Sequence, residues 1–506
     1  MKVVDCSQME SIDSRAQNEF FIPQTLLMED AGLNAYRLLR DEVWEGGPPP
    51  GTVLFLVGRG NNGGDALVMA RRCFLEGKRE LEILLAAGAP KPGTPPDTNL
   101  KICAALGIPI LEWEREPEAA RGKLAAARWI VDGILGTGMS GEVKPPLRDL
   151  ILEACSAAGA RAAVDLPSGL GDSYRQGFAC LRADVTLTIG LPKRCLYLPH
   201  ARALCGRILV VPGVFPPALL EDASLPGEML LPQDFARRYP PLAPDTYKTR
   251  RGHLAVFAGQ AGTTGAAWLA ANAAARSRAG LVSLHLDRDL YSVLAARFGA
   301  VMVRPWDGPA AASPLSLEPY TAVLAGPGWG VSAGRKQWLK TLIDRGLPGV
   351  LDADGLSCLA ELRRQERIEL GGRWILTPHP GEFARLLGRP VEEILADPLP
   401  EALGLAAELN ATVVLKSHLC LVASPEGRYW ILDAMNPALA TGGSGDVLSG
   451  IIAGFLAGGL SCPQAAGLGL ILHSQAGRAA WEERGFFIAE DLLPYVSLCL
   501  KRLGSC

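Results

Sequence analysis

Thr52-Val-Leu-Phe-Leu-Val57 runs directly into Gly58-Arg-Gly60-Asn61-Asn62-Gly63-Gly64-Asp65 and then into ALVMARR. The continuous apolar run Val53–Val57 that follows Thr52 predicts a strand covered on both faces. The glycines then let the chain turn sharply, and the spaced apolar residues after Asp65 predict a helix. Strand, tight loop, helix is the unit of a doubly wound α/β sheet, in which ligands bind beyond the strand C-termini.

Working outward, β-rich runs alternate with helical pattern on both sides of this unit. The strands expected before residue 212 are Thr52–Val57, Leu81–Leu85, Arg128–Val131, Ala160–Val164, Val185–Ile189 and Arg207–Val211. Between Pro212 and Pro244 stand eight prolines in 33 residues, a density that denies the backbone donors of a regular helix or central strand. This stretch is read as an ordered connector, with domains at 1–214 and 246–506. Beyond it the alternation resumes, with strands expected at His253–Phe257, Leu281–Leu286, Ala322–Ala325, Gly349–Asp352, Trp374–Thr377 and Thr412–Leu415. A hairpin is expected around Ser424–Arg428, joining Leu419–Ala423 to Tyr429–Leu432. The fold class is α/β, two doubly wound domains in tandem.

Composition narrows the function. The 506 residues carry 50 Lys+Arg against 53 Asp+Glu, a net charge of −3, so no basic field suits nucleic acid. Twelve cysteines are scattered without a CxxC pair, which argues for reduced thiols and against a zinc site or disulfide framework. The most lipid-like stretch, Val447–Leu460, has 14 residues and several glycines, too short to span a bilayer. The N-terminus has no apolar core suited to a signal peptide. A cytoplasmic protein acting on small molecules, with no nucleic-acid or membrane partner, is expected, and a homo-oligomer.

Gly58-Arg-Gly60-Asn-Asn-Gly63 matches GxGxxG, yet the next strand ends in Leu85-Ala-Ala-Gly88 with no acidic residue to hold a ribose. The ordinary hydride-transfer reading is rejected on that ground. Two further carboxylates stand at strand ends, Asp132 in VDGILGTGMSGE and Asp165 in VDLPSGL. Each alone is an ordinary turn former; together with Asn61–Asp65 they mark one crevice. In the C-terminal half, Asn436-Pro-Ala-Leu-Ala-Thr441-Gly442-Gly443-Ser444-Gly445-Asp446 delivers the chain into VLSGIIAGFLAG. Backbone N–H groups at such a helix start can hold a developing phosphate charge, with Asp446 beside them as a base.

NNGGD, DGILGTG and VDLPSG resemble the NAD(P)H-hydrate epimerase domain. The GxGD string resembles the ribokinase-like fold. Together with Leu376-Thr-Pro-His379-Pro-Gly-Glu382, Ala325-Gly-Pro-Gly328-Trp-Gly330 and Tyr247-Lys-Thr-Arg-Arg-Gly252, it is similar to NAD(P)H-hydrate dehydratases. The resemblance implies two three-layer αβα domains, Rossmann-like then ribokinase-like, that repair hydrated NADH and NADPH. It implies hydrate contacts at Asn61, Asn62, Gly63, Gly64, Asp65, Gly136, Thr137, Gly138, Met139, Ser140, Gly141, Glu142 and Asp165. Asn62, Asp132 and Ser168 would hold potassium, and Asp165 is expected to do the proton work. In the dehydratase domain Ala266, Gly328, His379 and Asp446 would meet the hydrate. Lys416, Ser417, His418, Leu419, Cys420 and Gly445 would hold the adenine nucleotide. Asp446 would be the base, and ADP with Mg2+ the co-substrate, ATP being the alternative. The sequence departs from the family pattern at KSHLC, where KGAHT is commoner, and at Ala66, Leu166 and Ser444. A ribokinase-type kinase with a non-catalytic N-terminal regulator or scaffold is the competing reading.

Overall fold

The computed structural model describes residues 1–308 and 315–504 and divides into two compact units, Met1–Pro226 and Gly227–Cys506. The division falls within the proline-rich stretch. That stretch holds more regular structure than its composition predicts. One-turn helices form at Pro217–Leu220 and Phe235–Arg238, and a three-residue strand at Gly227–Met229. All three fit between the prolines or begin on one, where the missing N–H costs nothing. Phe235 is fully buried in the core of the second unit.

The first unit is built on a seven-stranded sheet, parallel throughout. Its strands are β1 (Val53–Val57), β2 (Leu81–Leu85), β3 (Ile110–Glu112), β4 (Trp129–Gly133), β5 (Ala160–Val164), β6 (Val185–Ile189) and β7 (Arg207–Val211). They lie in the order β3-β2-β1-β4-β5-β6-β7, so the winding reverses between β1 and β4. Val53, Phe55 and Val57 face one apolar cluster with Tyr36 and Met69, while Leu54 and Leu56 face another with Leu124 and Ile151. That alternation makes β1 the middle of three layers and explains its unbroken apolar run.

The second unit carries β8 (Gly227–Met229), β9 (His253–Phe257), β10 (Leu281–Asp287), β11 (Met302–Trp306), β12 (Ala322–Ala325), β13 (Gly349–Leu351), β14 (Trp374–Leu376), β15 (Thr412–Leu415), β16 (Leu419–Ala423) and β17 (Tyr429–Asp433). Their spatial order is β8-β17-β16-β15-β14-β13-β12-β9-β10-β11. Pairing is parallel from β11 through β15 and antiparallel through the hairpin of β16 and β17. Ser424 N donates to Arg428 O (2.9 Å) to close that hairpin. The helices Thr264–Ala275 and Ser444–Ala457 pack closely on one face of this sheet. A Cβ on Gly450 would lie 2.2 Å from the Ala270 carbonyl oxygen, so small residues set the helix separation. Ser444–Ala457 is buried from Val447 onward, and no described helix is long and apolar enough to cross a membrane. The described cysteines are all free thiols, and Cys506 lies outside the described residues.

Candidate functional sites

In the first unit the helix Asn61–Leu75 starts at the C-terminal end of β1, with Gly60 at its cap. A Cβ on Gly63 would lie 2.0 Å from the Gly58 carbonyl oxygen, and one on Gly58 would lie 1.9 Å from that of Ile134. The glycines therefore draw the helix start and the loop after β4 into contact. Asn62 Nδ2 donates to the Leu135 carbonyl (2.9 Å), while its Oδ1 is buried and has no partner. Asp132, at the end of β4, accepts from Ser168 N (2.8 Å), Ser168 Oγ (2.6 Å) and Ile134 N (3.1 Å). Burial pushes its carboxyl up to about 6 despite these bonds. Ser168 Oγ also accepts from Leu135 N (2.9 Å). Amide, carboxylate and hydroxyl oxygens thus converge, one of them an orphan. That donor set suits a hard monovalent cation.

Next to it opens a cavity of about 700 Å³. Asn61, Asn62, Asp65, Gly136, Thr137, Gly138, Met139 and Asp165 line it. Gly63 and Gly64 are buried behind the helix start. Ser140 and Glu142 are exposed, and Gly141 N donates to Ser173 Oγ (2.8 Å); these five do not line the cavity.

Asp165 follows β5 with a left-handed backbone, φ 63°, an unusual conformation outside glycine that clusters at functional sites. Its Oδ1 accepts from Ile189 N (3.0 Å) and from the ammonium of Lys193. Lys193 is completely buried and also donates to Ile189 O (2.6 Å) and Thr188 Oγ1 (3.3 Å). Lys193 is a site residue that the motif reading misses. The signal is present in Gly190-Leu-Pro-Lys193, a charge set immediately after a buried strand. The helix Cys6–Asn18 adds Met9, Glu10 and Asp13 to the wall.

In the second unit a cavity of about 710 Å³ is lined by His379, Lys416, Ser417, His418, Cys420 and Gly445, among others. Leu419 is buried at the start of β16 and does not line it. Ser417 Oγ donates to Leu419 O (2.6 Å) and accepts from Leu419 N (3.1 Å), so this hydroxyl shapes the turn. Gly443 adopts φ 91° and caps the helix that begins at Ser444. Asp446, in its first turn, is half-buried. Burial and the Asp352 carboxylate push it up to about 7, with Lys416 opposing and Glu382 adding. Lys416 Nζ donates to Asp352 Oδ1 (2.6 Å). Burial alone would lower the Lys416 ammonium, but Asp352 and Glu382 outweigh it and hold it charged. Asp352 and Glu382 are thus further members of the site.

His379 is exposed and caps its own helix: Nδ1 accepts from Gly381 N (3.0 Å), and Glu382 Oε2 accepts from His379 N (2.8 Å). Ala266 and Gly328 do not line this cavity. Gly328, beyond β12, lies against Thr263, the N-cap of the helix that holds Ala266, and Thr263 Oγ1 donates to the Gly328 carbonyl (2.8 Å).

Two α/β units, each with buried carboxylates at the C-terminal ends of its strands, define an enzyme with two small-molecule sites. Residues 24–195 match the family described as YjeF-related protein N-terminus, and residues 254–497 match NAD(P)H-hydrate dehydratase. The bifunctional NAD(P)H-hydrate repair enzyme Nnr of Moorella thermoacetica is 34% identical across 99% of this chain and 97% of its own length. Its counterpart in Coxiella burnetii is 35% identical across 93% of each. Among solved structures, a ribokinase-like superfamily protein from Enterococcus faecalis V583 is similar over 55% of this chain and 97% of its own, with 25% identity and a TM-score of 0.50. The chain belongs to the family of bifunctional NAD(P)H-hydrate repair enzymes.

Proposed function

We propose that the first unit interconverts the R and S hydrates of NADH and NADPH, and that the second dehydrates the S form at the expense of ADP. The observation that carries this reading is the match of both halves, over nearly the whole chain, to enzymes of one substrate.

In the first unit the hydrate would occupy the cavity bounded by Asn61, Asn62, Asp65, Gly136–Met139 and Asp165, with Gly63, Gly64 and Ser140–Glu142 shaping its loops. Asn62, Asp132 and Ser168 would hold potassium, which supplies the positive charge that a buried Asp132 and the orphan Asn62 Oδ1 otherwise lack. The reacting carbon bears both a hydroxyl and the ring nitrogen, so reversible C–O cleavage inverts it. Asp165 serves the proton transfer.

In the second unit the adenine nucleotide, as its magnesium complex, would lie along Lys416–Cys420 and Gly445. The hydrate would meet Ala266, Gly328, His379 and Asp446. Asp446 takes the proton of the hydrate hydroxyl as that oxygen attacks the terminal phosphate of ADP. A P–O bond forms to the hydrate and the one to AMP breaks. N–H groups at Gly443–Asp446 face the transferred charge. Phosphate then leaves, pushed by the ring nitrogen, and loss of a ring proton restores the double bond. ATP is the alternative donor. The chain is proposed to be cytoplasmic and homo-oligomeric, its partners small molecules rather than nucleic acid or membrane.

The test is purified S hydrate with MgADP, following absorbance at 340 nm together with AMP and phosphate. One AMP and one phosphate per NADH support the reading. A phosphorylated product that accumulates without NADH favours the kinase.

A further inference from the structure

The cavity of the first unit holds two aspartates in contrasting surroundings. Asp165 Oδ1 is occupied by the Lys193 ammonium and the Ile189 N–H, while its Oδ2 accepts nothing among the described residues. Lys193 spends its three donors on Asp165, Thr188 and Ile189, so it has no proton directed at a ligand. Asp65 is buried in the first turns of the helix Asn61–Leu75 and lines the same cavity, yet no cation pairs with it and no donor among the described residues reaches its carboxyl.

We propose that the epimerisation uses both carboxyls, Asp65 as the acid that protonates the departing hydroxyl and Asp165 as the base that deprotonates the incoming water, with Lys193 as the positioning residue that holds Asp165 Oδ1 and leaves Oδ2 to the water. The proposal rests on the epimerase reading of this cavity.

The chemistry asks for two groups. The ring-nitrogen lone pair expels the hydroxyl, the C–O bond breaks, and the Asp65 proton turns hydroxide into water. Water then adds to the opposite face of the iminium carbon. A new C–O bond forms, the electron pair returns to nitrogen, and Asp165 Oδ2 takes the proton. In the reverse direction the roles exchange, and the protonation states reset through water in the cavity. Inversion requires attack from the face opposite departure, which one carboxyl cannot serve at both moments.

The environments agree with this division, since one carboxyl lies against a buried ammonium and the other is buried without a cation. Burial, followed by the charges of Asp165 and Asp13, holds the Asp65 carboxyl well above the usual range, with Lys193 opposing. Asp13 is itself pushed up by burial, with Glu10 adding and a hydrogen bond from Gln17 opposing. Glu10, Asp13, Arg59, Asp65, Asp165 and Lys193 are the charged groups lining the cavity.

The experiment uses the full chain and purified R hydrate, with the S product measured by chromatography. Asp65→Asn is expected to slow epimerisation by about 10²–10⁴-fold, with a circular dichroism spectrum like that of the wild type. Lys193→Met is expected to move the descending limb of the pH–rate profile upward, and Lys193→Arg to restore it, because the Lys193 charge opposes the rise of the Asp65 carboxyl that burial causes. A purely structural lysine would alter the rate without moving that limb. With the wild type in ¹⁸O-water, each S hydrate should carry one solvent oxygen, a readout independent of how the variants fold. Retention of the original oxygen overturns the two-carboxyl scheme, as does an Asp65→Asn rate within threefold of wild type. A wild-type chain that does not accelerate epimerisation overturns the epimerase reading itself, and the inference with it.

Discussion

Replacing Asp446 by Asn removes a carboxyl that the second unit holds in a costly place. Its pKa rises from 3.8 to about 7 through burial and the neighbouring Asp352, so the native state keeps a proton that the unfolded chain has already lost. Between about pH 4 and pH 7 the folded protein binds more protons than the unfolded one, and raising the pH therefore lowers its stability. About three units at ~1.4 kcal/mol each set a ceiling of ~4 kcal/mol. Solvent reaching the half-buried group reduces the expected value to ~2 kcal/mol. Asp446→Asn should stabilise the second unit by that amount at pH 8, raising its unfolding temperature by about 4–8 °C. The gain should fade as the pH falls from 7 to 4. The same variant should lose about 10²–10⁴-fold in dehydration, and the wild-type kcat/KM should climb with pH through about 7 as the base loses its proton. Calorimetry from pH 4 to 9, beside 340 nm assays over the same range, measures both. A variant destabilised at pH 8, or stabilised equally at pH 4, would refute the account of the carboxyl. Undiminished activity would refute its role as base.

Other perturbations separate the two sites and their supports. Asp165→Ala should slow formation of S from R hydrate while leaving dehydration of purified S hydrate within about twofold, read from the two phases of NADH recovery. Lys416→Met strands the buried Asp352 and should cost about 3–5 kcal/mol of stability in denaturant unfolding, with a raised KM for ADP. Gly63→Ala sets a Cβ 2.0 Å from the Gly58 carbonyl and should destabilise the first unit by about 1–3 kcal/mol. A thermal midpoint equal to wild type would show that the loop gives way freely.

Most strands are legible in the sequence because they are buried on both faces, and unbroken apolar runs such as Val53–Val57 and Ala322–Ala325 leave little ambiguity. The strands missed are edge or short ones. Met302–Trp306 ends the second sheet, where an exposed Arg304 and Pro305 are tolerated because no further strand needs their donors. Ile110–Glu112 has three residues and lies at one edge of the first sheet. The site residues that stand out in sequence are those in glycine-rich strings. Lys193, the helix Cys6–Asn18 and Asp352 escape notice because only the tertiary fold brings the first two to a cavity and the third to Lys416. Asp352 sits at a strand end just as Asp132 and Asp165 do, but in ordinary-looking LDADG. His379, expected at the hydrate, also serves the fold. Glycine and glutamate at the right spacing make it an N-cap, which is local structure independent of any ligand.

One chain carries two activities, and the product of the first is the substrate of the second. The most direct measurement supplies purified R hydrate alone with MgADP and follows absorbance at 340 nm. Complete NADH recovery, faster than spontaneous epimerisation and dependent on both Asp165 and Asp446, is the predicted result. Recovery no faster than the spontaneous rate, or none even from S hydrate, would contradict it.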